Sequence, residues 1–399
     1  MKKKLLIISP YLPYPLSHGG AVAQYFFLEN LNSLYDISFL CEINSTQEKN
    51  DGQYLIKCFP KITFLFFENY TVSKVEKHES LWIRFKVIIH KLLSGWKLLP
   101  TSMMAKELYS IPFNENFGKF ITEQFIDNNF DIVQLEFFGI LPYVDFIPKN
   151  IYSIFIHHEI KFKALSLREK KDVDLIANIK KYEIEKLKSF SRVAVFNEHD
   201  REILNREGLS HIYISHFGLP LSYHLKRDVS LIFNKFIFLG SQNHYANVEG
   251  LQWFIEQIYL QNYNMLVPFY ITGYWSEDFK RQYKDFKKII FVGFVEDLEK
   301  LFENGVLLCP INSGGGIRTK IIQAFVNKVP VFSTEMGAEG LLKGDGHIVV
   351  YDDKTFIKKY KLYFNDASLL DIAIQGNNYY NKFFNNNVLI QERINLYNN

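Results

Sequence analysis

The chain has 399 residues, 48% of them hydrophobic, enough for two domains with substantial cores. Its 46 basic residues stand against 43 acidic ones, a net charge of +3, and that balance excludes a dedicated nucleic-acid binder, which needs a concentrated basic excess. Three scattered cysteines, Cys41, Cys58 and Cys309, lack the spacing of metal ligands and fit buried thiols in a reducing compartment.

The opening "MKKKLLIISPYLPYPL" starts basic, but its apolar run, Leu5 to Ile8, is too short for a secretory segment. No window approaches the roughly 20 apolar residues that cross a bilayer, so a cytoplasmic protein is expected. "KLLIIS" reads as a buried strand, and the prolines and glycines up to Gly20 as a loop. "AVAQYFFLENLNSL" carries a nearly helical apolar stripe, and "YDISFLC" is the next strand. This strand-loop-helix-strand order implies a parallel sheet flanked by helices.

The order recurs at "FDIVQLE" (130–136), "IYSIFIHHE" (151–159) and "RVAVFNEHDREIL" (192–204), where Asp200 reads as a helix cap. "WIRFKVIIHKLLSGWKLLP" (82–100) is basic, aromatic and amphipathic. It fits a core helix with a solvated basic face, or peripheral contact with an anionic inner membrane surface. The "DVD" of residues 172–174 lies in a charged helical stretch and reads as a solvated face rather than a metal site.

The second half restarts the grammar with "KFIFLG" (235–240), a polar turn "SQNHYAN", and an amphipathic helix "VEGLQWFIEQIYL". "PFYITG", "KIIFVG", "GVLLCPI" and "VPVFST" follow as strands. The reading is α/β, with two doubly wound Rossmann-like domains facing across a cleft: 1–225, 226–375, and a C-terminal helix, 376–399, returning to the first domain. Ligands of such sheets bind in the crevice at the strands' carboxyl ends.

The stretch "INSGGGIRTKIIQAFVNKVPVFSTEMGAEGL" (311–341) is the strongest candidate for that crevice. Gly314, Gly315 and Gly316 precede a helix start, where backbone N–H groups lack partners and carry partial positive charge. Arg318 and Lys320 oppose the helix dipole there, which makes sense if they hold an anion such as a diphosphate. The plain alternative is a tight turn with solvated cations. Lys320, Gln323 and Asn327 share one polar helix face, so Gln323 could reach a ribose one diphosphate length away.

Three stretches resemble the retaining glycosyltransferases of the GT-B fold, family 4 or group 1. They are the opening "KLLIISPYLPYPLSHGGAVAQYFFLENL", "FIFLGSQNHYANVEGLQWFIEQI", and "IIFVGFVEDLEKLFENGVLLCPINSGGGIRTKIIQAFVNKVPVFSTEMGAEGL". The resemblance implies transfer of a sugar from a UDP- or GDP-linked donor to a glycan or lipid-linked acceptor, without a metal or other cofactor. It implies donor binding by Gly19, Gly20, Asn243, Gly314, Gly315, Gly316, Arg318, Lys320 and Gln323. It also implies catalytic roles for His158 and its neighbour Glu159 at the end of "IFIHHE". Adjacent strand residues face opposite ways, so one of His157 and His158 should face the cleft and the other should pack. Such enzymes usually carry glutamates at the positions of Gly315 and Gln323. Their replacement favours an alternative reading, a non-catalytic nucleotide-sugar-binding partner protein; a second alternative on the same fold is a sugar-nucleotide epimerase, whose acidic catalytic set is not visible in the sequence.

Overall fold

The computed structural model describes residues 2–69, 113–168, 173–226, 228–341 and 346–398. The basic stretch 82–100 and Asp172 lie outside the described residues. Seven parallel strands form the first sheet: β1 (Lys4–Ser9), β2 (Asp36–Ile43), β3 (Thr63–Glu68), β4 (Ile132–Glu136), β5 (Tyr152–His157), β6 (Arg192–Val195) and β7 (Ile212–Ile214). Their spatial order is β3-β2-β1-β4-β5-β6-β7. Six more parallel strands form the second: β8 (Lys235–Phe238), β9 (Phe269–Thr272), β10 (Ile289–Gly293), β11 (Gly305–Cys309), β12 (Val331–Ser333) and β13 (Val349–Val350). Their order is β10-β9-β8-β11-β12-β13.

The central strands are continuous apolar runs because helices cover both faces of a parallel sheet. Leu5, Leu6 and Ile8 of β1 and all of Gly305–Cys309 in β11 are buried. Three strands escaped the sequence reading: β3, β7 and β13. Each lies at or beside a sheet edge, and β7 and β13 have only three and two residues.

Strand order reverses between β1 and β4 in the first sheet, and between β8 and β11 in the second. Those two switch points place the loops after β1, β4, β8 and β11 at the carboxyl ends, where ligands of such folds bind.

The expected return of the C-terminal helix to the first domain is present. Helix Asp366–Phe383 lies on the second domain, where Gly376 faces Phe325 and Asn377 donates to the Phe325 carbonyl at 3.0 Å. The position expected for the switch, 375–376, falls inside this helix; the chain turns at Phe384, and Asn385 caps helix Asn386–Tyr397. That last helix packs on the first domain, with Tyr152 donating to the Leu396 carbonyl at 3.1 Å and Arg393 wholly buried.

Candidate active site

The glycine elbow leaves β11 and enters helix Thr319–Val326. Gly314 and Gly316 have φ of +88° and +78°, a region that favours glycine, so the loop can coil tightly there. Arg318 is the N-cap residue rather than a member of the first turn. It has no side-chain cap bond and folds back over the loop instead. Its Nη1 donates to the Gly315 carbonyl at 2.5 Å and its Nη2 to the Ser313 carbonyl at 3.4 Å, while Nε is buried without a partner. Glu249 fixes the loop from the other side by accepting the Ser313 hydroxyl.

Lys320 reaches across to Asn247 Oδ1 at 2.9 Å, with its ammonium 4.6 Å from the centre of the Phe238 ring. Burial pushes its pKa down to about 8, neighbouring Arg318 adds to the fall, and Cys309 opposes it. An ammonium so reluctant to stay charged gains from an anion beside it. Gln323 is buried on the same helix. Asn327, expected on the same polar helix face, ties the linker between the domains: it donates to the Tyr223 carbonyl and accepts from the Leu225 N–H, each at 2.9 Å. Asn243 is exposed in the turn after β8, and Asn247 is the asparagine that meets Lys320.

Opposite the elbow stands the carboxyl end of the first sheet. Gly19 opens helix Gly19–Leu31 directly across from Thr319, so two helix N-termini face one another; a Cβ on Gly19 would lie 3.0 Å from Thr319 Cγ2. Gly20 is small for a different reason, since a Cβ there would strike the Phe137 ring at 2.6 Å. His18 caps that helix by accepting the Ala21 N–H at 3.2 Å, and burial, then His158 and His244, lower its pKa.

The two histidines divide as the strand alternation requires. His157 is buried 2.9 Å from Glu183 Oε1, off the line of a hydrogen bond. Glu183 meanwhile accepts the N–H groups of Lys161 and Phe162, holding the start of helix Lys161–Arg168. His158 lies at the cleft, stacked 3.7 Å from Phe137, with Nε2 2.8 Å from Glu136 Oε2. Burial lowers its pKa against the opposing pull of Glu136, which favours a neutral ring.

Glu159 crosses the cleft, and its Oε1 accepts the Gly315 N–H at 3.1 Å. A carboxylate oxygen thus stands on the Gly315 amide. Lys163 crosses too, bridging Asp200 Oδ1 at 2.9 Å and Glu339 Oε1 at 2.7 Å. Asp200 is therefore an ion-pair partner; the cap of its helix is Asn197, whose Oδ1 accepts the Asp200 N–H. Lys163, Glu339, Glu136 and His18 were not singled out from sequence. The available signals were Glu339 inside the "GAEGL" run and Glu136, an acid ending an apolar strand. Among the described residues no three His, Cys, Asp or Glu side chains are grouped to hold a metal ion. Asp174 is exposed in the first turn of helix Val173–Leu187. No helix among the described residues is long and apolar enough to cross a membrane.

Residues 234–366 match the sequence profile of the glycosyl transferases group 1. No curated protein matches the chain by sequence. In fold the chain is similar to a sucrose-phosphate synthase from Thermosynechococcus elongatus, with TM-score 0.73 and 9% identity over 99% of this chain and 98% of that one. It is also similar to a TarM mutant of S. aureus in complex with Fondaparinux, alpha-GlcNAc-glycerol and UDP, with TM-score 0.69 and 12% identity over the whole of both chains. A trehalose-6-phosphate protein from E. coli bound with UDP-2-fluoro glucose gives 0.62 and 12% over 100% and 99%. The chain therefore has the GT-B fold, and its second domain carries the signature of the glycosyl transferases group 1.

Proposed function

We propose that the protein is a metal-independent, retaining glycosyltransferase of family 4. It moves a sugar from a UDP- or GDP-linked donor to a glycan or lipid-linked acceptor of the cell envelope or an exported polysaccharide. One observation carries the reading: the Gly315 amide already holds an anion, the Glu159 carboxylate, beside two cations and two facing helix N-termini. A nucleoside diphosphate that displaces Glu159 would meet the Gly314–Gly316 amides, Arg318 and Lys320. As the bond from the sugar's anomeric carbon to the phosphate oxygen breaks, those groups stabilise the charge left on the diphosphate. The acceptor oxygen bonds the same carbon from the same face, and its proton passes to the departing phosphate, so no strong protein base is required. His158, on the cleft wall, contacts the sugar as positive charge develops on its ring. The bound UDP of the TarM mutant and the UDP-2-fluoro glucose of the trehalose-6-phosphate protein support the donor class.

A second reading, a non-catalytic partner that binds nucleotide sugar, is favoured by the same Glu159 contact if it stays closed. The cytoplasm, at the inner membrane surface, is the proposed place of work for the first reading. Incubating the protein with a panel of UDP- and GDP-sugars and measuring nucleoside diphosphate release tests it. Release from one donor, increased by an acceptor, supports transfer. Binding without release from any donor favours the partner protein.

A further inference from the structure

A line of buried polar side chains runs from the last helix of the chain to His158. Tyr397 donates its hydroxyl to Gln134 Oε1 at 2.6 Å, and Arg393 Nη1 donates to the same oxygen at 3.3 Å. Arginine has no acceptor, so the amide oxygen must face it and the amide nitrogen must face away. Gln134 Nε2 accordingly donates to Glu136 Oε1 at 2.5 Å, leaving Glu136 Oε2 for His158 Nε2 at 2.8 Å. Gln134, Glu136 and Arg393 are buried, the last completely. Arg393 is seated by Ser215, which accepts its Nε at 2.9 Å, and by the Phe27 ring, 3.6 Å from its Cζ.

Buried polar side chains such as Gln134 and Glu136 on the strand and Arg393 on the helix are costly unless hydrogen-bonded, and of their side-chain atoms only Arg393 Nη2 is buried without a partner. A residue needed only to attach a terminal helix could be apolar. We infer that the C-terminal helix is a positioning element of the active site: Arg393 and Tyr397 orient Gln134, Gln134 orients Glu136, and Glu136 holds His158 in its Nε2–H tautomer. A carboxylate on one imidazole nitrogen fixes which nitrogen carries the proton and which way the ring points. Here it leaves Nδ1 as the ring's acceptor, while stacking on Phe137 sets the plane. The helix that switches from the second domain to the first thus connects the domain junction to the cleft. The inference rests on the role proposed for His158, but its first readout needs no turnover.

The test uses full-length protein labelled with 15N-histidine, with the His158 signals identified by their loss in His158→Gln. Wild type should show Nε2 protonated and Nδ1 bare. Glu136→Gln, which can face the ring with either end of its amide, should give a mixture of tautomers. It should also lower kcat by about a hundredfold with the donor KM within about twofold. Tyr397→Phe removes one oxygen from a helix that Arg192 also holds, by donating to the Asn395 carbonyl, as does His216, whose N–H donates to Glu392. It should show a minor Nδ1–H population and a roughly fivefold fall in kcat. If Glu136→Gln does not fold, Tyr397→Phe carries the test alone. A wild-type ring protonated on Nδ1, or a single unchanged tautomer in both folded variants, overturns the relay. Absence of turnover with every donor would instead count against the glycosyltransferase reading, while the tautomers still decide the relay.

Discussion

Replacing Lys320 by methionine should stabilise the protein and weaken its hold on a nucleoside diphosphate. The ammonium has its pKa lowered from 10.5 to about 8, chiefly by burial. At about 1.4 kcal/mol per unit, that corresponds to about 3.5 kcal/mol against the charged form. Loss of the bond to Asn247 offsets about 1 kcal/mol, and the partial exposure of Lys320 reduces the figure further. Methionine keeps the apolar stem over Phe238, so a net gain of about 1–2 kcal/mol is expected at pH 7. A lysine whose folded pKa is depressed is most unfavourable below that pKa, and the unfolded state binds more protons between about 8 and 10.5. Wild-type stability should therefore rise with pH across that window and close the gap to the variant. Urea unfolding at pH 7 and pH 10, with UDP titration at pH 7, measures both effects. A variant less stable at pH 7 that binds UDP as well as wild type would refute the reasoning.

Glu159→Ala removes the carboxylate now occupying the Gly315 amide, so UDP should bind several-fold more tightly by calorimetry; weaker binding would mean that Glu159 helps hold the ligand. His158→Ala should lower turnover far more than UDP affinity, whereas His157→Ala, a buried site beside Glu183, should mainly lower the urea midpoint. The reverse pattern would exchange their roles. Gly316→Ala places a Cβ at φ +78°, 3.1 Å from the His158 carbonyl, and should lose about 1–2 kcal/mol of stability. No loss by urea unfolding would mean the loop relaxes freely.

Both sheets were legible because their central strands announce themselves as apolar runs followed by glycine or proline loops, as in "KLLIIS" and "GVLLCPI". β13 was not, since two residues carry no periodicity. The elbow was legible in outline. Its glycines and cations stand out in sequence, but Arg318's bonds to its own loop and Asn327's to the linker depend on chain folding over many residues. Contacts such as Lys163 with Glu339, 176 positions apart, or Tyr397 with Gln134, 263 apart, have no local pattern at all. Asp200 reads as a cap in sequence, but Asn197 three residues earlier takes that place and leaves the carboxylate for Lys163.

The elbow is expected to bind a nucleoside diphosphate with protein charges in place of a metal. Calorimetric titration of UDP and GDP in EDTA, into wild type and into the Arg318→Ala, Lys320→Ala double variant, tests it most directly. Each lost charge-assisted bond should cost about 1.5–3 kcal/mol, so the variant's affinity for the preferred nucleotide should fall at least a hundredfold while wild type binds without metal. Equal affinity in the two proteins, or wild-type binding only after magnesium or manganese is restored, would contradict the account.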